Sequence, residues 1–306
     1  MRVVNHHEDY RKMKEIFLRY ISIEKQFSEH TLIDYTHDLE QFLEFIKKEF
    51  DNEAIEKVNF KIIRAWKVML VESKLDNRSV NRKLATLRSF FKFLHQRQYI
   101  PSNPMKLVPA LKTKKKLPSF VEEKAMNLLF EEVVFEPNFE GLRDKLILEL
   151  LYGSGIRLSE MIGLKDADIS FYNHTIVVLG KRKKERIIPI TPHLIKLIKE
   201  YQNLKSEYLT SRTPNHSLIV TDKGEEAYPV FIQRTVKKYL SAVTSLQQKS
   251  PHILRHTYAT HLLNNGADLN AIKDLLGHKS LAATQVYTHN SIEKLKRVFE
   301  QAHPKA

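Results

Sequence analysis

Five histidines, His252, His256, His261, His278 and His289, crowd the last third of the sequence, and the first chemistry they suggest is metal binding. His252 and His256 stand four residues apart, a spacing that sets two imidazoles on one helical face. The pair lacks the intervening glutamate of the H-E-x-x-H zinc motif, and Arg255, one helical turn from His252, would place a fixed positive charge beside the ion. A resident metal is therefore not expected. Cations and imidazoles without a metal suit a different reaction. Phosphoryl transfer builds negative charge on the non-bridging oxygens of its transition state, and guanidinium forks can stabilise that charge. A nucleophile is still required, and with no cysteine in the chain the choices are Ser, Thr, Tyr or water. A phenol titrates near pH 10, and surrounding positive charge favours its phenolate. Among twelve tyrosines, composition and spacing do not choose one.

Other machineries are excluded by their missing parts. Gly180-Lys181 lacks the upstream glycine and the following Ser/Thr of a phosphate-binding P-loop, and no G-x-G-x-x-G follows a strand-like run. ATP, dinucleotides and other cofactors are not expected. No Asp/Glu cluster suited to a two-Mg²⁺ nuclease is evident. The absence of cysteine removes disulfides, Cys-ligated zinc and iron-sulfur clusters.

The chain carries 50 Lys+Arg against 36 Asp+Glu, a formal net charge of +14. Such a balance favours a polyanionic partner, with nucleic acid ahead of an anionic membrane surface. The excess is not a tail: 20 basic and 15 acidic residues precede the end of Leu111, and 30 and 21 follow it. With 306 residues, 42% hydrophobic and 28% charged, the sequence suits two folded, soluble domains. Met1 to Tyr10 shows no apolar leader core and no membrane-spanning run is present, so a cytoplasmic protein is expected.

The elements that must position this chemistry are mostly helical. From Ser28 to Phe50, Leu32, Tyr35, Leu39, Phe42, Leu43 and Ile46 recur at three- and four-residue steps, with Ser28 as N-cap. From Asn77 to Gln98, Val80, Leu84, Leu87, Phe91 and Leu94 form one side, and Arg78, Arg82, Arg88 and Lys92 the other. Val58 to Lys106 holds eleven Lys/Arg and only Glu72 and Asp76. A face so one-signed would repel itself unless a polyanion neutralised it, which points those four cations toward phosphates, although a solvated face is the bland alternative. From Ile100 to Pro118 the periodicity stops, prolines accumulate, and Lys112, Lys114, Lys115 and Lys116 cluster, as in a basic interdomain linker. The second half is mixed. Thr175 to Leu179 and Arg186 to Ile190 form a β-hairpin with a lysine-rich tip, and helical periodicity returns at Pro192 to Leu209, Val230 to Val243, His252 to Leu263, Leu269 to Leu276 and Ile292 to Ala302.

Two stretches resemble a known family. Leu150 to Ile169 (LLYGSGIRLSEMIGLKDADI) is similar to the first arginine box of the tyrosine site-specific recombinases, and Ser250 to Tyr287 to the second, with H-x-x-R, then L-G-H, then a tyrosine. The spacing carries the specificity: 24 residues from Arg157 to Lys181, 23 from Arg255 to His278 and nine from His278 to Tyr287. Within the family the likeness is greatest to the bacterial Xer recombinases, and it extends through Ser28 to Ile46, Val80 to Leu94 and the tail His303-Pro304-Lys305-Ala306.

The resemblance implies a mainly α fold with a small antiparallel β-sheet: a helical, SAM-like core-binding domain over residues 1–110, a basic linker over 111–118, and a mixed α+β catalytic domain over 119–306, closing as a C-shaped clamp on DNA. It implies that Tyr287 attacks a backbone phosphate to give a 3'-phosphotyrosyl link, that Arg157 and Arg255 bind the non-bridging oxygens with His252 and His278 assisting, and that Lys181 protonates the leaving 5'-oxygen. Glu160 matches an acidic position of the first box and is expected to orient Arg157. Lys181 departs from the family's Gly-Lys-Gly, since Arg182 replaces the second glycine and Lys183 and Lys184 are rivals. Taken singly, Arg157 could be a helix-surface ion pair, His252 a core histidine and Tyr287 a packing residue. The implied assembly is a tetramer on two double-stranded sites, alone or with a second related recombinase, with residues 292–306 docking on a neighbour, a septal DNA translocase as a further partner and no membrane partner. Chromosome dimer resolution is the implied role. The alternatives are a phage or transposon integrase and, in another class, a non-catalytic architectural DNA-binding protein.

Overall fold

A computed structural model describes residues 6–51, 53–113, 119–180, 185–209, 216–277 and 298–305. The chain divides into two compact units, residues 1–116 and 117–306.

The first unit is built from α1 (His6–Ile23), α2 (Glu29–Glu49), α3 (Phe60–Glu72) and α4 (Asn77–Gln96). The apolar stripe read on α4 is buried as its spacing requires: Val80, Leu84, Leu87, Phe91 and Leu94 are all fully inside, joined by Phe90 and Phe93. Aromatic edges lock the bundle, with Phe42 against Trp66 and Phe91, and Phe17 against Phe90. Each large ring buried this way contributes about 1.5–3 kcal/mol. Asp76 caps α4 by accepting from the Ser79 hydroxyl and from the backbone N–H groups of Ser79 and Arg78, which together hold its carboxyl below the usual range. Ser28 stands at the N-cap of α2 but makes no side-chain cap; its hydroxyl pairs with that of Thr31 instead.

The first part of the expected linker belongs to this unit. Ile100, Met105 and Val108 are buried, and a 3₁₀ turn at Pro104–Leu107 folds the segment back. The Asn81 side chain bonds both the N–H and the C=O of Leu111, while Asn77 donates to Lys112 O. Loss of helical periodicity at Ile100 marked the end of a helix rather than of the folded unit. Lys114, Lys115 and Lys116 lie outside the described residues.

The second unit centres on α6 (Phe139–Ser154), whose residues from Leu146 to Ser154 are all buried. A helix apolar on every side belongs in a core. Around it pack α5 (Glu123–Glu131), α8 (Pro192–Tyr208), α9 (Pro229–Val243) and α10 (Pro251–Asn264), with α7 (Leu158–Ile162) and α11 (Leu269–Leu276) short beside them. A three-stranded antiparallel sheet runs in the order β1 (Ile169–Ser170), β2 (Thr175–Leu179), β3 (Glu185–Pro189). Val178 pairs with Arg186 and Leu179 with Glu185, the last pair of the β2–β3 ladder before residues 180–184. β1 has only two residues, too short for a periodic signal, and was not anticipated.

Candidate active site

The site is assembled where two helices end. α6 stops at Gly155, whose φ of 59° is left-handed, and the chain turns through Ile156 to place Arg157 at the start of α7. Glu160, three residues on, accepts the Arg157 backbone N–H at 2.9 Å through Oε2 and Arg157 Nη1 at 2.7 Å through Oε1. The expected Arg157–Glu160 orientation is thus built by two bonds from one carboxylate. A second cation completes the cluster: Arg186 of β3 donates Nη1 to Oε1 at 2.5 Å and Nη2 to Oε2 at 2.7 Å. Burial pushes the Glu160 carboxyl upward, but the two guanidiniums and the backbone N–H outweigh it and hold its pKa at about 2. Glu160 is therefore a fixed anion between two cations at every physiological pH.

Arg255 approaches from α10. Its Nη1 donates to Gly155 O and its Nη2 to Leu276 O at 2.5 Å, while Arg157 Nη2 donates to the next carbonyl, Gly277 O, at 2.9 Å. The two arginines therefore converge on adjacent carbonyls at the C-terminus of α11. Gly277 at that corner is left-handed too, with φ of 61°. Helix C-termini present unpaired carbonyls and the negative end of the macrodipole, so these ends suit two neighbouring cations. Burial, then the charges of Arg157 and Arg186, lowers the Arg255 pKa to about 10, and it remains charged at neutral pH. Each guanidinium has five N–H donors and spends only some of them on protein acceptors, leaving donors for an incoming anion. Arg157 is partly exposed, with 27% of its side chain accessible, and Arg255 lies deeper.

Residues 119–294 match the phage integrase family, and residues 15–98 match the family's N-terminal SAM-like domain. A tyrosine recombinase XerC of Thermodesulfovibrio yellowstonii is 39% identical over 295 residues, covering 94% of this chain and 95% of the relative. A tyrosine recombinase XerC of Bacillus subtilis is 34% identical over 302 residues, covering 98% of each. The chain belongs to the tyrosine recombinases of the phage integrase family. It is a site-specific DNA recombinase. Among solved structures, XerH bound to a palindromic difH substrate in a post-cleavage complex shares its fold, with a TM-score of 0.72 at 18% identity over 97% of each chain.

In this tyrosine recombinase, Arg157 and Arg255 stand together. His252 is exposed in the first turn of α10, one turn before Arg255, so it is no core histidine. The buried imidazole of that helix is His261, whose Nδ1 meets Tyr152 Oη at 2.9 Å. Lys181, His278 and Tyr287 lie outside the described residues; the described backbone ends at Gly180 before the first and at Gly277 before the second.

Sequence reading gave no role to Arg186. A signal existed: with period two, Arg186 shares its strand face with Ile188 and Ile190, both buried. A cation on a buried strand face calls for a carboxylate partner.

On the first unit, Arg78, Arg82, Arg88 and Lys92 are all exposed, on the side of α4 away from the core. Two of them already have partners. Arg82 grips the fully buried Asp38 of α2 with both ends of its fork, at 2.8 and 2.9 Å, and Lys83 and Thr86 complete that carboxylate's shell. Arg88 donates to Val108 O. The premise that only an external polyanion could neutralise this face is corrected: Asp38 on a neighbouring helix, distant in sequence, does part of it.

Proposed function

We propose that this recombinase resolves chromosome dimers in the cytoplasm by exchanging strands at a short inverted-repeat DNA site. The observation that carries the chemistry is the convergence of Arg157 and Arg255 on the Leu276–Gly277 corner, the residues immediately before His278. Two fixed guanidiniums beside the expected imidazole form a seat for a phosphodiester whose charge rises during transfer.

Tyr287 Oη attacks phosphorus, the P–O5' bond breaks as the P–Oη bond forms, and the DNA 3' phosphate stays on the enzyme. Arg157 and Arg255 bind the two non-bridging oxygens, His278 and His252 assist charge and proton handling, and Lys181 delivers a proton to the leaving 5'-oxygen. One phosphoester replaces another, so no nucleotide is consumed, and a 5'-hydroxyl reverses the step to rejoin a strand. Two sites require four protomers, and the assembly is a tetramer of this chain alone or with a second related recombinase, with a septal DNA translocase as a further partner. Arg78, Lys92 and the lysines at 114–116 contribute phosphate contacts, with Arg82 and Arg88 presented beside them. Likeness to relatives named XerC over nearly the whole chain supports the chromosomal role.

The test incubates wild-type protein and Tyr287→Phe with fragmented DNA of the source organism and sequences the SDS-resistant adducts. Wild-type adducts concentrated at one chromosomal inverted repeat are expected, with none from the variant. Adducts at the ends of a mobile element would replace dimer resolution by integration. No adduct from wild type, even with the second recombinase added, would leave only the architectural reading.

A further inference from the structure

Arg186 touches three parts of the site without being exposed to it. Its fork holds both oxygens of Glu160, the same carboxylate that fixes Arg157 from the backbone and from Nη1. Its stem lies under the left-handed Gly277, where an added Cβ would stand 3.0 Å from Arg186 Cδ and 3.2 Å from Nε. Arg186 also begins the core-facing side of β3, directly opposite Val178, and so anchors the hairpin that carries Lys181. It is 5% exposed, and both ends of its fork are spent on Glu160.

We infer that Arg186 is a positioning residue for the transfer step, acting through Glu160 on Arg157 and through Gly277 on the corner that precedes His278. The inference rests on the phosphotyrosyl reading above. The physical need is clear from Glu160. Each of its oxygens takes a bond from Arg157, and without a counter-fork the carboxylate is free to rotate about its side chain and carry Arg157 with it. A guanidinium fixes both oxygens in one plane; an ammonium bonds as a point charge and fixes only one. Arg186→Lys therefore keeps the charge and loses the geometry.

The test uses a nicked duplex carrying the site recovered in the adduct capture, made with a normal scissile phosphate and again with a neutral methylphosphonate at that position. Substituting a methyl group for a charged oxygen reduces the demand for a correctly placed Arg157. Arg186→Lys is expected to bind the duplex within about twofold of wild type while forming adduct at least tenfold more slowly on the phosphate, with that deficit shrinking to about threefold or less on the methylphosphonate. A deficit equal on both duplexes, or no deficit, overturns the inference. Should Arg186→Lys fail to fold, the doubly neutral Glu160→Gln, Arg186→Gln pair, which leaves no charge unpaired between those two positions, is judged by the same ratio. Wild type forming no adduct would overturn the recombinase reading itself, so the two failures are distinguishable.

Discussion

The proposed chemistry of this site rests on guanidiniums held at fixed positions before any phosphate arrives. Arg255 spends two donors on the ends of α6 and α11. In the proposed mechanism truncating it removes a transition-state contact, and loss of one such donor typically costs at least about a hundredfold in rate. Arg255→Ala is therefore expected to keep measurable duplex binding while adduct formation falls at least about a hundredfold; adduct formation at the wild-type rate in a gel assay would remove Arg255 from the chemistry. At this scale the sequence was informative where a motif fixed several residues together. Arg157, Glu160 and Arg255 could be named from the spacing of two boxes. Arg186 could not, because its partner is 26 positions away and its place depends on a strand pairing. Asp38 was missed for the same reason: its cations Arg82 and Lys83 lie on another helix.

Elements, rather than single side chains, set the site's tolerance. At Gly155 an added Cβ would come within 2.4 Å of the Tyr258 ring, at a backbone φ that L-residues resist. Gly155→Ala is expected to destabilise the catalytic unit by about 2–4 kcal/mol, from the left-handed backbone together with overpacking, and denaturant unfolding reads it directly. The C-terminal segment packs against the same helix end. His303 donates Nε2–H to Gly153 O at 2.9 Å, while its Nδ1 accepts the Lys305 N–H, so the buried ring is the neutral tautomer. Burial, countered by the Gly153 bond and aided by the Lys305 charge, holds its pKa at about 4. Lys305 meanwhile pairs with the buried Glu149, which His193 also faces, and Tyr258 lies against the imidazole. An unfolded histidine titrates near pH 6.5, so below that pH the unfolded chain takes up a proton that the folded chain refuses. The stability contributed by His303 is complete above about pH 6.5 and declines by about 1.4 kcal/mol per pH unit as pH falls toward about 4. Thermal unfolding of wild type should show this extra acid sensitivity and His303→Gln should lack it; equal slopes would contradict a neutral buried ring. Most helices here could be read from apolar periodicity, since α2, α4, α8 and α10 each bury one recurring set. The Ile100–Val108 segment shows no helical period and still folds onto the first unit, because aperiodic chain can be pinned by side chains such as Asn81.

At the scale of the molecule, both halves carry excess positive charge, within a net +14. Binding a duplex by neutralising Z phosphates should make log K fall with log[salt] at a slope of about −0.9Z. Removing Arg78 and Lys92, exposed cations of α4 whose side chains make no salt bridge among the described residues, is expected to flatten that slope by about one to two, as read by titrations at several salt concentrations. An unchanged slope would move the phosphate contacts off this face. Among the described residues no helix is long and apolar enough to cross a membrane. The central claim, that one tyrosine becomes covalently joined to DNA beneath two arginines, has a direct measurement: trap the adduct in the presence of a chelator, digest both protein and DNA, and identify the modified peptide by mass spectrometry. The account predicts a nucleotide joined through its 3' phosphate to the peptide containing Tyr287, in undiminished yield with chelator; a label on any other residue, or a yield abolished by the chelator, would contradict it.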